Sequence, residues 1–375
     1  MDDPGTAAPP AGYPGPDDPE ATDPGVGMPP AGGAAARFRR ARKVLLISVA
    51  ALAVLIVGTG TAAYLVARHD LSSMRRIGNP FASIPASQRP PLPTGPAAKD
   101  VTFLIGGLDT RSPVPATGTN AASSRRGRTD TLMLVHLIAG GRGAYAVSIP
   151  PDSWVPIPGH GAGKASRAYA AGGPALTIRT IERLTNVRVD HFAIIAWDGF
   201  RAVTNALGGV TVNVPVTTYD PASRVTWTAG SHHLDGTQAL LYVKDRHGPP
   251  NGDVPVEQRQ QEYLRAMFQQ LRQAGTLANP LSAGSVMHAL TSAVSVDSTL
   301  TVTAMLHLAL SMRGLDTSRI VFATAPYLGT GTAHGQSVVR LNQSVGRPFW
   351  HAFEYDSLPA FLHKHHLHRF GASAP

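Results

Sequence analysis

The chain has 375 residues, enough for one large domain or two small ones. Cysteine is absent, which excludes disulfides, thiolate metal sites, a cysteine nucleophile and a lipoprotein-type cysteine anchor. Charged residues make up 15% of the chain and hydrophobic ones 43%, so a sizeable core is available; the net charge of +9 suits nucleic acid, an acidic membrane or an anionic substrate without choosing among them.

Residues 1–36 are dominated by Pro, Gly and Ala, carry the acids Asp17, Asp18 and Glu20, and contain no Lys or Arg. With no apolar periodicity, this segment is expected to be disordered. Arg37, Arg39, Arg40, Arg42 and Lys43 then form a basic cluster that completes a tail over 1–43. The next stretch, Val44 to Val66, has no charged residue. As a helix it would span about 35 Å, enough to cross a hydrocarbon core of about 30 Å. The basic cluster on its N-terminal side puts the tail in the cytoplasm and the rest of the chain outside. A cleaved signal peptide would have a shorter apolar run nearer the N-terminus, so an uncleaved anchor over 44–66 is expected. Residues 67–98 are Pro-rich and read as a stalk.

A globular pattern begins at residue 99 and runs to 362, followed by a His-rich tail over 363–375. Its first part reads VTFLIGGLDTRS, then a loop, then RGRTDTLMLVHLIAGGRGAYAVSIPPDS. Three apolar runs rich in β-branched residues read as buried strands. Each ends at, or begins just after, a charged group: Asp109 with Arg111, Arg128 with Asp130, and Asp152. Further along, an amphipathic helix is expected over Pro174–Thr185, a strand over His191–Ala196, and a helix capped by Asp198 through Leu207. Gly208-Gly209 turns into a strand over Val210–Val214, and Asp235 caps a helix through Tyr242. Helices are expected over about Val256–Ala274, Leu281–Val294 and Leu300–Met312. A late strand over Arg319–Ala323 precedes a Gly/Thr-rich loop. Alternating strands and helices argue for an α/β fold with a central sheet.

In open α/β sheets ligands collect where strands end. Two carboxylates and two arginines gathered there suit a metal-bound, multiply anionic ligand. GHGAGKAS around Lys164 resembles a phosphate loop but has Pro158 and Ala165 where Gly and Ser or Thr are required, so a Walker motif is rejected; Lys164 can still meet a phosphate as a point charge. His232, His233, His363, His365, His366 and His368 have no partners at a zinc spacing and read as surface residues. No Ser after a strand sits in GxSxG. The basic residues are not interleaved with stacking aromatics, which argues against nucleic acid. Arg111, Arg128, Arg246 and Arg259 instead lie beside polar turns or helix ends, with Lys244 and Asp253 close by in sequence. As a group they suggest a pyrophosphate site, with arginine forks on phosphate and carboxylates on Mg²⁺.

From about Asp100 to Ala266 the chain resembles the LytR–CpsA–Psr family of cell-wall glycopolymer ligases. The matching pieces are LIGGLDTR, RTDTLMLVHL, VSIPPDSWVPIPG, KASRAYAAGGP, VDHFAIIAWDGFRAVTNALGGVTVNVP, LDGTQALLYVKDRHG and GDVPVEQRQQEYLRA, in family order. The resemblance implies a mixed sheet packed by helices around an apolar lipid tunnel. It implies transfer of a glycopolymer phosphate from a polyprenyl-pyrophosphate carrier to peptidoglycan, by an enzyme on the outer face of a bacterial membrane. Asp109 and Asp130 match the acidic positions tied to Mg²⁺. Arg111, Arg128, Lys164, Lys244, Arg246 and Arg259 match basic positions around the pyrophosphate. Asp152 matches the acid of the family's SIPRDS-like motif and is the candidate general base, or organiser of the arginines; Arg128 and Arg246 join it as catalytic candidates. The family usually has Arg where this chain has Pro151 and Lys244, Asn near Ser166, and often Arg at Val256. Those departures keep two other readings open: a non-catalytic binder of wall polymer or lipid carrier, and a lipid-pyrophosphate phosphatase.

Overall fold

The computed structural model describes residues 68–367, apart from 109–128, 222, 246–255, 274–279, 313 and 316. The N-terminal tail, the apolar run Val44–Val66, the end of the His-rich tail, and Asp109, Arg111, Arg128, Arg246 and Asp253 lie outside the described residues. No helix among the described residues is long and apolar enough to cross a membrane.

The fold is mixed α/β, as the strand–helix alternation implies. A short strand, β1 (Arg75–Arg76), precedes the three apolar runs, which form β2 (Val101–Leu108), β3 (Thr129–Ile138) and β4 (Gly143–Ser148). A small hairpin, β5 (Trp154–Ile157) and β6 (Gly161–Lys164), leads to α1 (Arg167–Thr185), then β7 (His191–Ala196) and α2 (Trp197–Ala206). Four short strands follow, β8 (Val210–Val214), β9 (Thr218–Asp220), β10 (Val225–Trp227) and β11 (Gly230–Leu234). Next come α3 (Gly236–Lys244), α4 (Val256–Gln273), α5 (Pro280–Ala293), β12 (Val294–Val296) and α6 (Val302–Met312). The chain closes with β13 (Ile320–Thr324), β14 (Tyr327–Ala333), β15 (Gln336–Leu341), α7 (Gln343–Glu354) and α8 (Leu358–Lys364). The central sheet has seven strands in the order β1-β12-β7-β2-β3-β4-β13. Strands β2, β7, β4 and β13 run one way and β3 the other.

The two faces of the sheet are covered differently, and β2 shows it. Its residues alternate, with Leu104 and Leu108 fully buried and Phe103 and Ile105 only partly so. The first face joins Leu104, Leu134, Val147, Phe192 and Val321 to Ile178 and Ile181 of α1 and to Phe349 and Phe353 of α7 in one core. Each such side chain contributes about 1.5–3 kcal/mol by leaving water. The opposite face is divided into two smaller clusters. One gathers Ala193, Val296, Leu300 and Met305; the other gathers Met133, Ala144, Ala146, Ile320 and Phe322. Phe103 and Ile105 border the first cluster and Val135 and Leu137 the second, all half-buried. Because Phe103 pairs with Val135 and Ile105 with Met133, an apolar seam runs along the middle of this face.

Three local expectations differ from the structure. The Pro-rich segment is not a free spacer: it forms short 3-10 turns over Pro80–Ser83, Ala86–Gln88 and Gly95–Lys99. Ile84 enters the main core, and Arg89 bonds the buried Glu182 carboxylate at 2.7 Å. A few anchoring side chains outweigh the bulk composition there. Asp198 does not cap α2; the cap position is Ala196, and Asp198 lies in the first turn and pairs with Arg201. Strand β7 runs straight into α2, leaving no loop residue to act as a cap. The Gly/Thr-rich loop is a hairpin of β14 and β15. His334 and Gly335, both at positive φ (47° and 72°), form its tight turn, as a primed hairpin turn requires.

Candidate functional site

The register of the sheet brings chemistry to one edge. Leu108, the last residue of β2, pairs with Ala196, the last of β7, and Ser148 at the end of β4 pairs with Thr324 at the end of β13. Strand β3 starts at this same edge, Thr129 opposite Leu108. The pairing shifts there: Thr131 faces Gly107 and Thr129 faces Leu108, leaving Asp130 as the extra residue of a β-bulge. Bulges turn a side chain away from the regular pleat and favour sheet edges near sites. Asp130 is half-buried at that bulge, and Asp109 is the residue that follows Leu108 in the chain.

Strand β4 extends one residue further beside β3, the Ile149 N–H donating to the Leu132 carbonyl at 2.8 Å. The segment Pro150–Ser153 that follows is clamped by backbone bonds. The Asp152 carbonyl accepts from the Val339 N–H (3.0 Å), the Pro151 carbonyl from Ser166 (2.9 Å) and the Ser153 carbonyl from Ala165 (2.9 Å). The β5–β6 hairpin, with Trp154 opposite Lys164, returns the chain so that Lys164 Nζ lies 2.9 Å from Asp152 Oδ1. Lys164 is 15% exposed and Asp152 30%. A pair this open adds at most about 1 kcal/mol to stability.

Lys244 joins from the other side. It lies exposed in the last turn of α3, with Nζ 5.3 Å from the centre of the Trp197 ring. Trp197 directly follows the end of β7, so Lys244 belongs to the same edge.

Arg259, on α4, is placed differently. It forms a buried ion pair, its Nη1 lying 3.0 Å from Asp245 Oδ2, with side chains 3% and 0% exposed. Nη1 also donates to the Asp245 carbonyl at 2.5 Å and Nη2 to Thr218 Oγ1 at 3.3 Å. Asp245 is the C-cap of α3, and Arg246 is the next residue; Arg259 therefore fixes where the chain leaves α3. Two residues on, buried Gln261 fastens α4 to the sheet. Its Nε2 lies 2.9 Å from Ser148 Oγ, 2.7 Å from the Ala323 carbonyl and 3.1 Å from Thr324 Oγ1. Nearby, the Tyr242 hydroxyl donates to Glu262 Oε2 at 3.1 Å. Burial pushes both groups above their ordinary pKa values. Arg265 lies 5.6 Å over the Phe322 ring, and burial lowers its pKa.

Among the described site candidates, Asp130, Asp152, Lys164 and Lys244 thus share one sheet edge, and Arg259 braces the element behind it. Asp245 and Gln261 were not singled out from the sequence. The run Gln258–Gln261 reads as a solvated helix face, and only the density of polar residues before an apolar helix hints that it turns inward.

A seven-stranded mixed sheet with helices on both faces and charged side chains at its strand ends defines a mixed α/β domain. The LytR_cpsA_psr family matches residues 83–349, and the chain belongs to that family. It is 36% identical over 188 residues to the probable cell wall biosynthesis protein LcpB of Corynebacterium glutamicum, covering 50% of this chain and 45% of that one. Against the cell wall biosynthesis protein LcpA of the same organism it is 30% identical over 304 residues, covering 71% and 58%. The chain thus spans about half the length of these curated relatives. The polyisoprenyl-teichoic acid–peptidoglycan teichoic acid transferase TagV of Bacillus subtilis is 31% identical over 166 residues, 42% of each chain. The crystal structure of TagV superimposes with a TM-score of 0.55 at 22% identity, covering 70% of this chain and 98% of that one. That likeness is one of fold.

Proposed function

We propose that this protein is a membrane-anchored phosphotransferase that moves a glycopolymer from a polyprenyl-pyrophosphate carrier onto peptidoglycan during wall assembly. The observation that carries the reading is the Asp152–Lys164 pair, held by backbone clamps at the sheet edge beside the Asp130 bulge. Family membership and the similarity to TagV, a teichoic acid transferase, support it.

In this reading Val44–Val66 anchors the chain with its N-terminus in the cytoplasm and the domain outside. The lipid chain lies along the apolar seam bordered by Phe103, Ile105, Val135 and Leu137. Its pyrophosphate sits at the sheet edge, met by Arg111, Arg128, Lys164, Lys244 and Arg246. Arg259 acts through Asp245 by holding the start of the segment that carries Arg246. Arginine forks bind phosphate oxygens in pairs, and lysines supply compact charge.

A carboxylate on a bulge at the mouth, beside a strand that another acid follows in the sequence, is a donor set suited to Mg²⁺, which keeps one or two carboxylates and several waters. Asp109 and Asp130 would hold that ion. Mg²⁺, when bound, would supply positive charge to the pyrophosphate oxygens. The sugar hydroxyl of the acceptor attacks the glycan-linked phosphorus, and the bond to polyprenyl phosphate breaks. Asp152 takes the hydroxyl proton, while Lys164, 2.9 Å away, holds its carboxylate in position. The arginines and lysines stabilise negative charge that grows on the non-bridging and leaving oxygens.

The test is release of polyprenyl phosphate from a polyprenyl-pyrophosphate glycan by the purified chain with Mg²⁺ and peptidoglycan. The proposal expects release that is lost in Asp152→Asn and on chelation. Binding without release would overturn it in favour of a carrier-binding protein, a reading that Pro151 and Val256, standing where family arginines are usual, would then explain.

A further inference from the structure

A second polar cluster lies at the opposite end of the sheet. Asp100 immediately precedes β2, whereas Asp109 follows it; a strand of this length sets the two ends about 25 Å apart. His136, on β3, pairs in register with Thr102. Asp356 sits in the turn between α7 and α8. These three residues, remote in sequence, meet on the main-core face of the sheet, where the His136 ring packs against Tyr145 and Phe353, which also touch each other.

The arrangement of their polar atoms is unusual. His136 Nε2 lies 3.6 Å from Asp100 Oδ2 and 3.6 Å from Asp356 Oδ1. All three of these atoms are buried, and none has a hydrogen-bond partner among the described residues. His136 is 2% exposed and Asp100 fully enclosed. The other polar atom of each group is already held. His136 Nδ1 is 2.9 Å from Thr102 Oγ1. Asp100 Oδ1 accepts the Ala139 N–H at 2.7 Å, and Asp356 Oδ2 accepts from Arg142 Nη2 at 3.2 Å. Asp356 holds its carboxylate in place from a left-handed backbone conformation (φ 57°), uncommon outside glycine. Buried polar atoms without partners are costly, and here three of them point at one another.

We propose that Asp100, His136 and Asp356 form a binding site for a divalent transition metal of the zinc class. One imidazole nitrogen and two carboxylate oxygens are the mixed set such ions take, with water in the fourth place. Tetrahedral ligands at about 2.0–2.2 Å from zinc stand roughly 3.4 Å apart, close to the 3.6 Å seen here. The outer bonds from Thr102, Ala139 and Arg142 supply the second ring of contacts that orients metal ligands. Asp356, 22% exposed, gives the ion a way in. Bound there, the ion ties the α7–α8 turn to the beginning of β2 and to β3, away from the phosphate edge.

The rival occupant is a proton. Burial works against charging His136, but the carboxylates of Asp100 and Asp356 outweigh it and raise its pKa above the usual value.

The experiment uses the full chain, purified without a polyhistidine tag, stripped with chelator and kept in excess Mg²⁺ to saturate the oxygen-rich mouth. Co²⁺ is added and its visible absorption followed; zinc retained after dialysis is counted by atomic emission. The proposal expects one Co²⁺ per chain with a band of tetrahedral type, displaced by Zn²⁺. The band disappears in Asp356→Asn, whose partly exposed position spares the fold, and persists when His365 and His366 are changed to Ala. Thr102→Val weakens binding by about 10–100-fold. A wild-type chain that gives no band and retains no zinc overturns the proposal, as does a band unchanged in Asp356→Asn.

Discussion

Replacing Arg259 with alanine isolates what the buried pair contributes. The guanidinium and the Asp245 carboxylate are 3.0 Å apart, and both are almost wholly shielded from water. At an effective dielectric constant of 20 their gross attraction is about 5 kcal/mol. Removing the cation takes away the guanidinium that faces the buried Asp245 carboxyl group, and it also removes donors to the Asp245 carbonyl and Thr218 Oγ1. Breaking a buried pair in this way costs about 3–5 kcal/mol. For a domain of this size, that loss lowers the melting temperature by roughly 6–20 °C. Differential scanning calorimetry of wild type, Arg259→Ala, Asp245→Ala and the double variant measures it. The double variant should recover part of the loss, since the buried carboxylate is removed together with its cation. Arg259→Lys keeps the charge but not the fork and should fall between wild type and alanine. An Arg259→Ala protein that melts within a degree of wild type, yet loses lipid-pyrophosphate binding, would refute the bracing role and make Arg259 a direct phosphate ligand.

Asp152→Asn should lower turnover by about 10²–10⁴-fold, the range for a general base, with little change in the melting curve because the pair with Lys164 is partly exposed; equal losses in both would mean a structural role. Gln261→Leu should destabilise the protein by about 1–3 kcal/mol in denaturant, since Ser148, Ala323 and Thr324 lose a shared donor. Asp297 predicts an acid limb. Burial opposes its charge, but bonds from His191, Thr299 and Phe192 prevail and hold its pKa below the ordinary 3.8. Its stabilisation is therefore present above that value and is lost as pH falls through the lower folded-state pKa. Melting curves between pH 2 and 7 should show this loss in wild type and a smaller one in Asp297→Asn; identical slopes would contradict it.

The strands were legible because their physics is local. Runs such as VTFLIGGL and TDTLMLVHLI are apolar along most of their length and fit a sheet covered on both faces. The caps at Asp235 and the helix from Val256 follow equally from nearby residues. The candidate edge was half legible: the sequence pairs charges with strand ends, but the Asp130 bulge depends on register with β2. Arg259 read as a phosphate ligand because its partner, Asp245, sits across a segment whose path sequence does not specify. The Asp100–His136–Asp356 cluster was invisible, since its residues lie 36 and 220 positions apart and no zinc spacing spans them. The Pro-rich segment misled through composition, because single side chains such as Ile84 and Arg89 decide whether a proline-rich run floats or packs.

The central claim is group transfer, and the most direct measurement is mass spectrometry of peptidoglycan fragments after incubation with the purified chain, Mg²⁺ and a polyprenyl-pyrophosphate glycan. The expected product is glycan joined to a peptidoglycan sugar through one phosphate, with polyprenyl phosphate released in equal amount. Free phosphorylated glycan with no such linkage would contradict it and make the protein a phosphatase.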